Sequence, residues 1–365
     1  MIVYLCLFVW VVYFSSVAQR ARNFRREKGI ESLALIMVFL GMIFVYTIRW
    51  EVGTDFRTYH QHYNAIGQMS FENVKKADGE VAFNLLVWGI YKLKPDNYMF
   101  YNFIMGTIVY GMTLRTIRKE TDKIMITILF YMLICYTYAF NGTRQMIAAM
   151  ICFAGHRLVR EKKYFKFLFV LFLASRIHIT VLFIAPFYFL ANLPYNNKKL
   201  IFVEVMFVIS ALTVSAYWNK IIEFISFLGM EKLAKDYGDI TKYYGAKVIR
   251  IIVKLPVIAV GLINSNIIKK EDKDGSFDFY LNMIIFSLIF TIAGTQMVTL
   301  ARFSDYFSIY QCLLITKLFK SMEDKKEQVI LNVCMLVGYF LMWIVLLQVE
   351  SDLTPFRFRS GRVIR

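Results

Sequence analysis

Charge is scarce in this sequence. Only 19% of its 365 residues are Asp, Glu, Lys or Arg, while 58% are hydrophobic and 17% aromatic. That leaves too little polar surface to coat a water-soluble globule. Cysteine is also scarce: Cys6, Cys135, Cys152, Cys312 and Cys334 all fall within apolar runs, and no CxxC pair occurs. They read as small core residues rather than a disulfide frame or a thiolate metal site. No basic domain gathers the net charge of +17, which argues against a nucleic-acid partner. The apolar runs lack strand-like alternation, which favours helices over a transmembrane β-barrel. Residues 1–18 have neither a charged n-region nor a small-residue cleavage site, and are expected to form a first membrane span rather than a removable signal. No internal repeat, low-complexity tract or second soluble domain is apparent.

What is abundant is apolar length. Mean hydropathy is +0.51, and runs near the ~20 residues that cross a bilayer as a helix recur from end to end. The expected fold is an all-α polytopic membrane protein, one integral-membrane domain over residues 1–365. Ten spans are expected, at about 1–18, 31–48, 97–115, 123–140, 142–158, 200–218, 247–267, 279–300, 303–319 and 328–348. The connections "QRARNFRREKG", "RTIRKETDK", "HRLVREKKYFK", "PYNNKK", "KKEDKDG" and "KSMEDKKEQ" carry about half of the 43 Lys and Arg. The positive-inside rule assigns them to the cytoplasm. Residues 79–94 are too short to cross and read as an outer-leaflet helix. The run 164–190 reads as a re-entrant hairpin of two half-length helices meeting near Ser175–His178, which keeps every basic loop on one side. Loops at about 49–80 and 219–246 and the tail 349–365 then face outward.

On this topology the ionisable residues outside the basic loops collect at the external end, and such residues at membrane depth usually mark a functional site. "RWEVGTDFRTYHQHY" (49–63) crowds Arg49, Glu51, Asp55, Arg57, Tyr59, His60 and His62 just beyond an apolar run, with tyrosines spaced for a surface helix. His60 and His62, two residues apart on a helix, point different ways, and no metal or cofactor is expected. Arg144 opens a helix in "NGTRQMIAAM". It either snorkels to the interface or clamps an anion together with the free N–H groups there and Gln145. His178, with Arg176 nearby, is either a hydrogen-bonded core residue or a proton acceptor lining a cavity at the corner. Arg302 either pairs with Asp305 one turn on or serves the site. Lys247, Arg250 and Lys254 share one helix face, a depth of basic charge that implies an anionic ligand or a buried carboxylate. Arginine excess fits a pyrophosphate; a carboxylate or imidazole fits deprotonation of a hydroxyl.

"RWEVGTDFRTY" (49–59) resembles the R-x-x-x-G-T-D-[YF]-x-x-Y signature of EpsG-like, Wzy-type exopolysaccharide polymerases. The block 143–190, with R-Q-x-x-A opening a helix, a basic turn and an A-S-x-x-H corner, resembles the family's second block. "GTQMVTLARFSDYF" (294–307) is similar to its R-x-x-x-Y-F element, and "GEVAF" (79–83) loosely matches an acidic residue before a Gly/Ala-Phe pair. Phe56 replaces a common Tyr, and Ile179-Thr180 stands where a small hydroxyl residue often follows the His. The resemblance implies a bundle like the GT-C-type integral-membrane glycosyltransferases, a metal-independent polymerase on the outer face of the bacterial cytoplasmic membrane. Its donor and acceptor would be undecaprenyl-pyrophosphate-linked oligosaccharides, with a chain-length regulator and a flippase as partners. Arg49, Asp55, Tyr59, Arg144, Gln145, His178, Arg302 and Tyr306 carry over as implied site residues. His178, Asp55, Arg144 and Arg302 are the expected catalytic group. Arg49, Glu51, Arg57, Tyr59, Gln145, Arg176, Arg250, Lys254, Asp305, Tyr306 and Arg357 (with Arg359) are expected at the substrate. A flippase for lipid-linked repeat units, a membrane O-acyltransferase and a glycan ligase remain the alternatives.

Overall fold

Each expected span is largely helical over the residues described by the computed structural model, which are 1–24, 28–227, 245–296, 298–319, 321–322, 324–349, 352–359 and 363–364. The chain divides into two compact units, Met1–Pro186 with Tyr339–Arg365, and Phe187–Gly338.

The first unit is built from α1 (Ile2–Asn23), α2 (Lys28–Ile48), α3 (Phe56–Gln68), α4 (Phe71–Lys76), α5 (Val81–Leu93), α6 (Tyr98–Glu120), α7 (Ile124–Ile134), α8 (Tyr138–Asn141), α9 (Thr143–Arg160) and α10 (Tyr164–Ser175). The start of α11 (Val181–Ala191) belongs to it as well. The helix α6 begins where the Asn97 side chain accepts the Phe100 N–H, a cap that satisfies one of the orphan donors of its first turn. It is central: α2 and α9 both pack on it, while α1 lies on α2 and α7, and α10 on α9. Its buried stripe of Tyr101, Met105, Val109, Thr113 and Ile117 repeats every four residues, a spacing that keeps to one side of a helix.

The two ends of this unit differ in charge. At one end Arg22 donates to the Thr121 and Arg118 carbonyls, and Glu31 accepts from Arg118 Nε at 2.7 Å. Beside them Glu120 lies 3.0 Å from Arg157 Nε, 3.6 Å from Arg160 NH1 and 3.4 Å from Nε2 of the fully buried His156. Two buried acids thus hold three of the basic connections together. At the other end the C-terminal tail folds back on the start of the chain. Tyr4 Oη donates to Leu353 O, Trp50 N–H to Arg357 O and Gly53 N–H to Asp352 O. A bridge joins Arg49 to Phe358, and the strand Phe356–Arg357 pairs antiparallel with Val363–Ile364.

In the second unit the helix Phe277–Gln296 packs against Val298–Leu318, Lys198–Phe227 and Gly245–Ile263. Phe187 meets Phe286 and Phe290 edge-on, and Phe290 stacks on Phe307. Beside them runs a ladder of hydroxyls from Ser287, Thr291, Ser304 and Ser308.

Two expectations change. Five helices are long and apolar enough to cross a membrane among the described residues, or up to seven if each bent pair is one span. The other expected spans are helices that carry Asn102, Arg115, Gln145, Arg302 and similar groups, so apolarity alone does not qualify them. Residues 219–227 of the expected external loop continue the helix Lys198–Phe227; 228–244 lie outside the described residues, as does the side chain of Lys247. The break in the run 164–190 falls where expected, between Ser175 and Val181.

Candidate functional site

A single carboxylate organises the charged end of the first unit. Gly79, at φ +98°, turns the chain so that Glu80 becomes the N-cap of α5, a backbone conformation that favours glycine. The Asn84 side chain closes this turn by donating to Asp78 O. Glu80 Oε2 accepts from Arg144 NH1 at 2.8 Å. Its Oε1 accepts the Ile179 N–H at 2.8 Å and lies 3.3 Å from His178 Nδ1. The carboxylate is only 14% exposed.

Each partner arrives by a break in a helix. After α10 ends, the His178 N–H folds back to Ala174 O. Ile179 is thereby left ahead of α11 with a free donor, as at any helix start, and Glu80 answers it. Arg144 stands in the first turn of α9, behind the N-cap Gly142; its own N–H donates to Tyr59 Oη at 3.3 Å. Its guanidinium passes 5.7 Å over the Phe83 ring, and its Nε is buried with no hydrogen-bond partner among the described residues. A buried donor left without a partner suits a ligand or a bound water.

Burial pushes the Glu80 carboxyl up, but His178, the Arg144 charge and the Ile179 N–H together outweigh it and hold the pKa down at about 2. Glu80 is therefore ionised at neutral pH and too weak a base to take a hydroxyl proton; its chemistry is to position. Beside it His62 stacks on Phe83. Burial, and then the Arg144 charge, lower the His62 pKa, so its imidazole is neutral at pH 7. His60 faces the other way, against Trp50 and Tyr98.

The loop 49–55 forms the neighbouring wall. Gly53, at φ +95°, rests so closely on α8 that a Cβ there would lie 2.7 Å from Phe140 O and Asn141 Oδ1. Asn141 Oδ1 accepts from the Thr54 N–H and hydroxyl, and the Thr54 hydroxyl also reaches Asp55 Oδ1 at 3.3 Å. Asp55, half-buried, precedes α3. Glu51 pairs with the exposed Arg57 at 3.1 Å.

Arg49 departs from its expected place at the substrate. It is 1% exposed, donating to Val52 O and Phe140 O, with its guanidinium 4.2 Å from the Tyr46 ring and 4.7 Å from the Phe140 ring. It fastens the loop from below. Gln145 is buried beside Arg144, Arg176 is exposed at the corner, and Arg357 is exposed on the tail while its carbonyl accepts from Trp50. In the second unit Asp305 accepts from Arg250 NH1 at 3.1 Å, and Lys254, 2% exposed, donates to Thr291 Oγ1. The deep basic stripe is thus met by a carboxylate and a hydroxyl. Tyr306 is fully buried and Arg302 exposed. The residue missing from the sequence-based set is Glu80; the acidic position of "GEVAF" was its one signal.

No curated protein and no solved structure matches this chain. The EpsG family model does, over residues 32–358, nearly the full length, and the chain belongs to the EpsG family.

Proposed function

We propose that this multi-pass membrane protein is a polysaccharide polymerase that joins undecaprenyl-pyrophosphate-linked oligosaccharide repeat units by metal-independent glycosyl transfer. Family membership supports the polymerase class. The observation that carries the chemistry is one half-buried carboxylate, Glu80, that touches both an arginine and a histidine. The positive-inside rule assigns the Arg22–Arg118–Arg157 end of the first unit to the cytoplasm, so the Glu80 end works on the outer face of the cytoplasmic membrane.

Glu80 opposite Nδ1 favours the imidazole tautomer that carries its proton there, leaving Nε2 as the acceptor, the role a carboxylate plays in hydrolytic triads. His178 then takes the proton of the acceptor sugar hydroxyl as that oxygen bonds to the donor's anomeric carbon. The bond from this carbon to the pyrophosphate oxygen breaks through an oxocarbenium-like state, and the polyprenyl pyrophosphate departs with the electron pair. Arg144 stabilises the departing charge through its uncommitted N–H groups and the helix start beneath it. Asp55, Tyr59, Glu51, Arg57, Gln145 and His62 line the sugar-facing side, with Arg176 and Arg357 at its rim. In the second unit, taken by itself, the exposed Arg302 is available to an anionic group, while Arg250 and Lys254 act on structure through Asp305 and Thr291.

The test is polymer length in a deletion strain complemented with Arg144→Ala. Single lipid-linked repeats accumulating at normal protein level are expected, with partial recovery in Arg144→Lys, which keeps the charge but not the fork. Full-length polymer from Arg144→Ala would remove the arginine from the reaction.

A further inference from the structure

Between α1 and α2, within the first unit, lies a groove of about 910 Å³ whose lining includes Ile2, Cys6, Leu40, Phe44, Thr47 and Phe358. Among the described residues no charged side chain lines it. Its one indole, Trp10, turns its N–H away to Met37 O at 2.7 Å. Gly41 makes this floor possible, because a Cβ there would stand 2.5 Å from the Trp10 ring. The groove runs from Ile2 to Trp10 on one helix and from Ile48 back to Met37 on the other, about 12–16 Å at 1.5 Å per residue, or half of a bilayer's hydrocarbon core. Spread over that length, the volume corresponds to a cross-section of roughly 60 Å², room for a branched chain doubled beside itself rather than one straight chain.

Its position decides the occupant. Both helices are long and apolar enough to cross the membrane, and several large side chains that line the groove, among them Ile2, Trp10, Leu40 and Phe44, are exposed. The groove is therefore open to lipid along its side. Its upper end is bordered by Phe358, the residue bridged to Arg49, whose guanidinium holds the Phe140 carbonyl just ahead of α9. Across α2 from the groove, Tyr46 Oη lies 2.7 Å from Thr143 Oγ1, one residue before Arg144. The mouth is thus about one helix diameter, 10–12 Å, from the start of α9. A chain lying in the groove delivers its polar head to the end of the unit where Glu80, Arg144 and His178 meet.

We propose that this groove seats the polyprenyl chain of the lipid-linked substrate, with the pyrophosphate emerging at its upper end toward Arg144. The assignment rests on the polymerase reading above and adds to it a specific seat for the lipid anchor.

Cys6 reports on the groove directly, since it is exposed within it; Cys334 is the other exposed thiol, and Cys135, Cys152 and Cys312 are buried. In purified full-length Cys334→Ala protein, alkylation of Cys6 by N-ethylmaleimide is followed by intact mass, with bound lipid quantified in parallel by native mass spectrometry. Undecaprenyl phosphate should slow alkylation at least fivefold, whereas phosphatidylglycerol at the same mole fraction and inorganic pyrophosphate should leave it unchanged. Cys6→Trp, which fills the groove from its open side, should lower undecaprenyl phosphate retention at least tenfold while the protein stays folded. Retention with unprotected Cys6, or in full by Cys6→Trp, overturns the seat and leaves the lipid-linked reading intact. Equal protection by phosphatidylglycerol also overturns it, assigning the groove to bulk lipid. Absence of any undecaprenyl phosphate binding overturns both the seat and the substrate reading.

Discussion

Replacing Glu80 by Gln keeps the shape of the side chain and removes only its charge, so Glu80→Gln isolates what the carboxylate does. In the native protein Glu80 is held at about 2 against an ordinary 4.5, a gap that corresponds to ~3 kcal/mol, as an order of magnitude. Because the folded pKa is depressed, this stability is fully present above pH 4.5 and is lost as pH falls through about 2. Removing the charge also leaves Arg144 facing a neutral amide. Breaking a buried ion pair costs about 3–5 kcal/mol when both groups are fully enclosed, but Arg144 is 31% exposed, which places the cost nearer 1–3 kcal/mol. The assay is thermal unfolding of the purified protein in detergent between pH 7 and pH 3. Wild type should lose melting temperature below pH 4.5, while Glu80→Gln should start several degrees lower at pH 7 and lose less on acidification. A Glu80→Gln protein with wild-type melting temperature and an undiminished acid response would refute the role of this carboxylate.

Two further outcomes follow from the same geometry. Arg49→Ala removes two hydrogen bonds and two close ring contacts from a fully buried guanidinium; a loss of about 3 kcal/mol or more is expected, with Arg49→Lys little better because it has no fork. Melting temperature and monodispersity measure this, and wild-type stability in Arg49→Ala would contradict it. For sidedness, cysteine is introduced at the exposed Thr54 or at Asp122, whose side chain is fully exposed, in a Cys6→Ala, Cys334→Ala background. A membrane-impermeant maleimide applied to intact cells should label position 54 and spare position 122; the reverse would invert the orientation.

Much of this architecture is legible in the amino-acid sequence, because lipid as a solvent forces backbone polar groups to pair within each segment. Helices therefore fall where the apolar runs fall, and the corner at Ser175–His178 shows as charge within a run too long for one span. Arg144 and His178 stand out for the same reason, each an ionisable group in an apolar setting. Glu80 does not. It lies in a short polar stretch beside Lys75, Lys76 and Asp78, and nothing local reveals that it meets residues 64 and 99 positions away. Burial is equally hidden, which is why Arg49 and Tyr306 look like ligands in the sequence and stand in the core of the structure. Asp305 could be matched with Arg302 by spacing, yet a partner 55 residues distant reaches it. Contacts between remote segments are a property of the packed fold, and no periodicity encodes them.

The central claim is that the pair of Glu80 and His178 moves the proton of glycosyl transfer. Its most direct measurement is the glycan ladder, run beside the lipid-linked repeat units, from a deletion strain complemented with wild type or with His178→Ala at matched protein level. Accumulation of single repeats with His178→Ala, and full-length polymer with wild type, is the expected result. An unchanged ladder from His178→Ala would make the histidine a core residue and move the proton acceptor elsewhere, to Asp55 first.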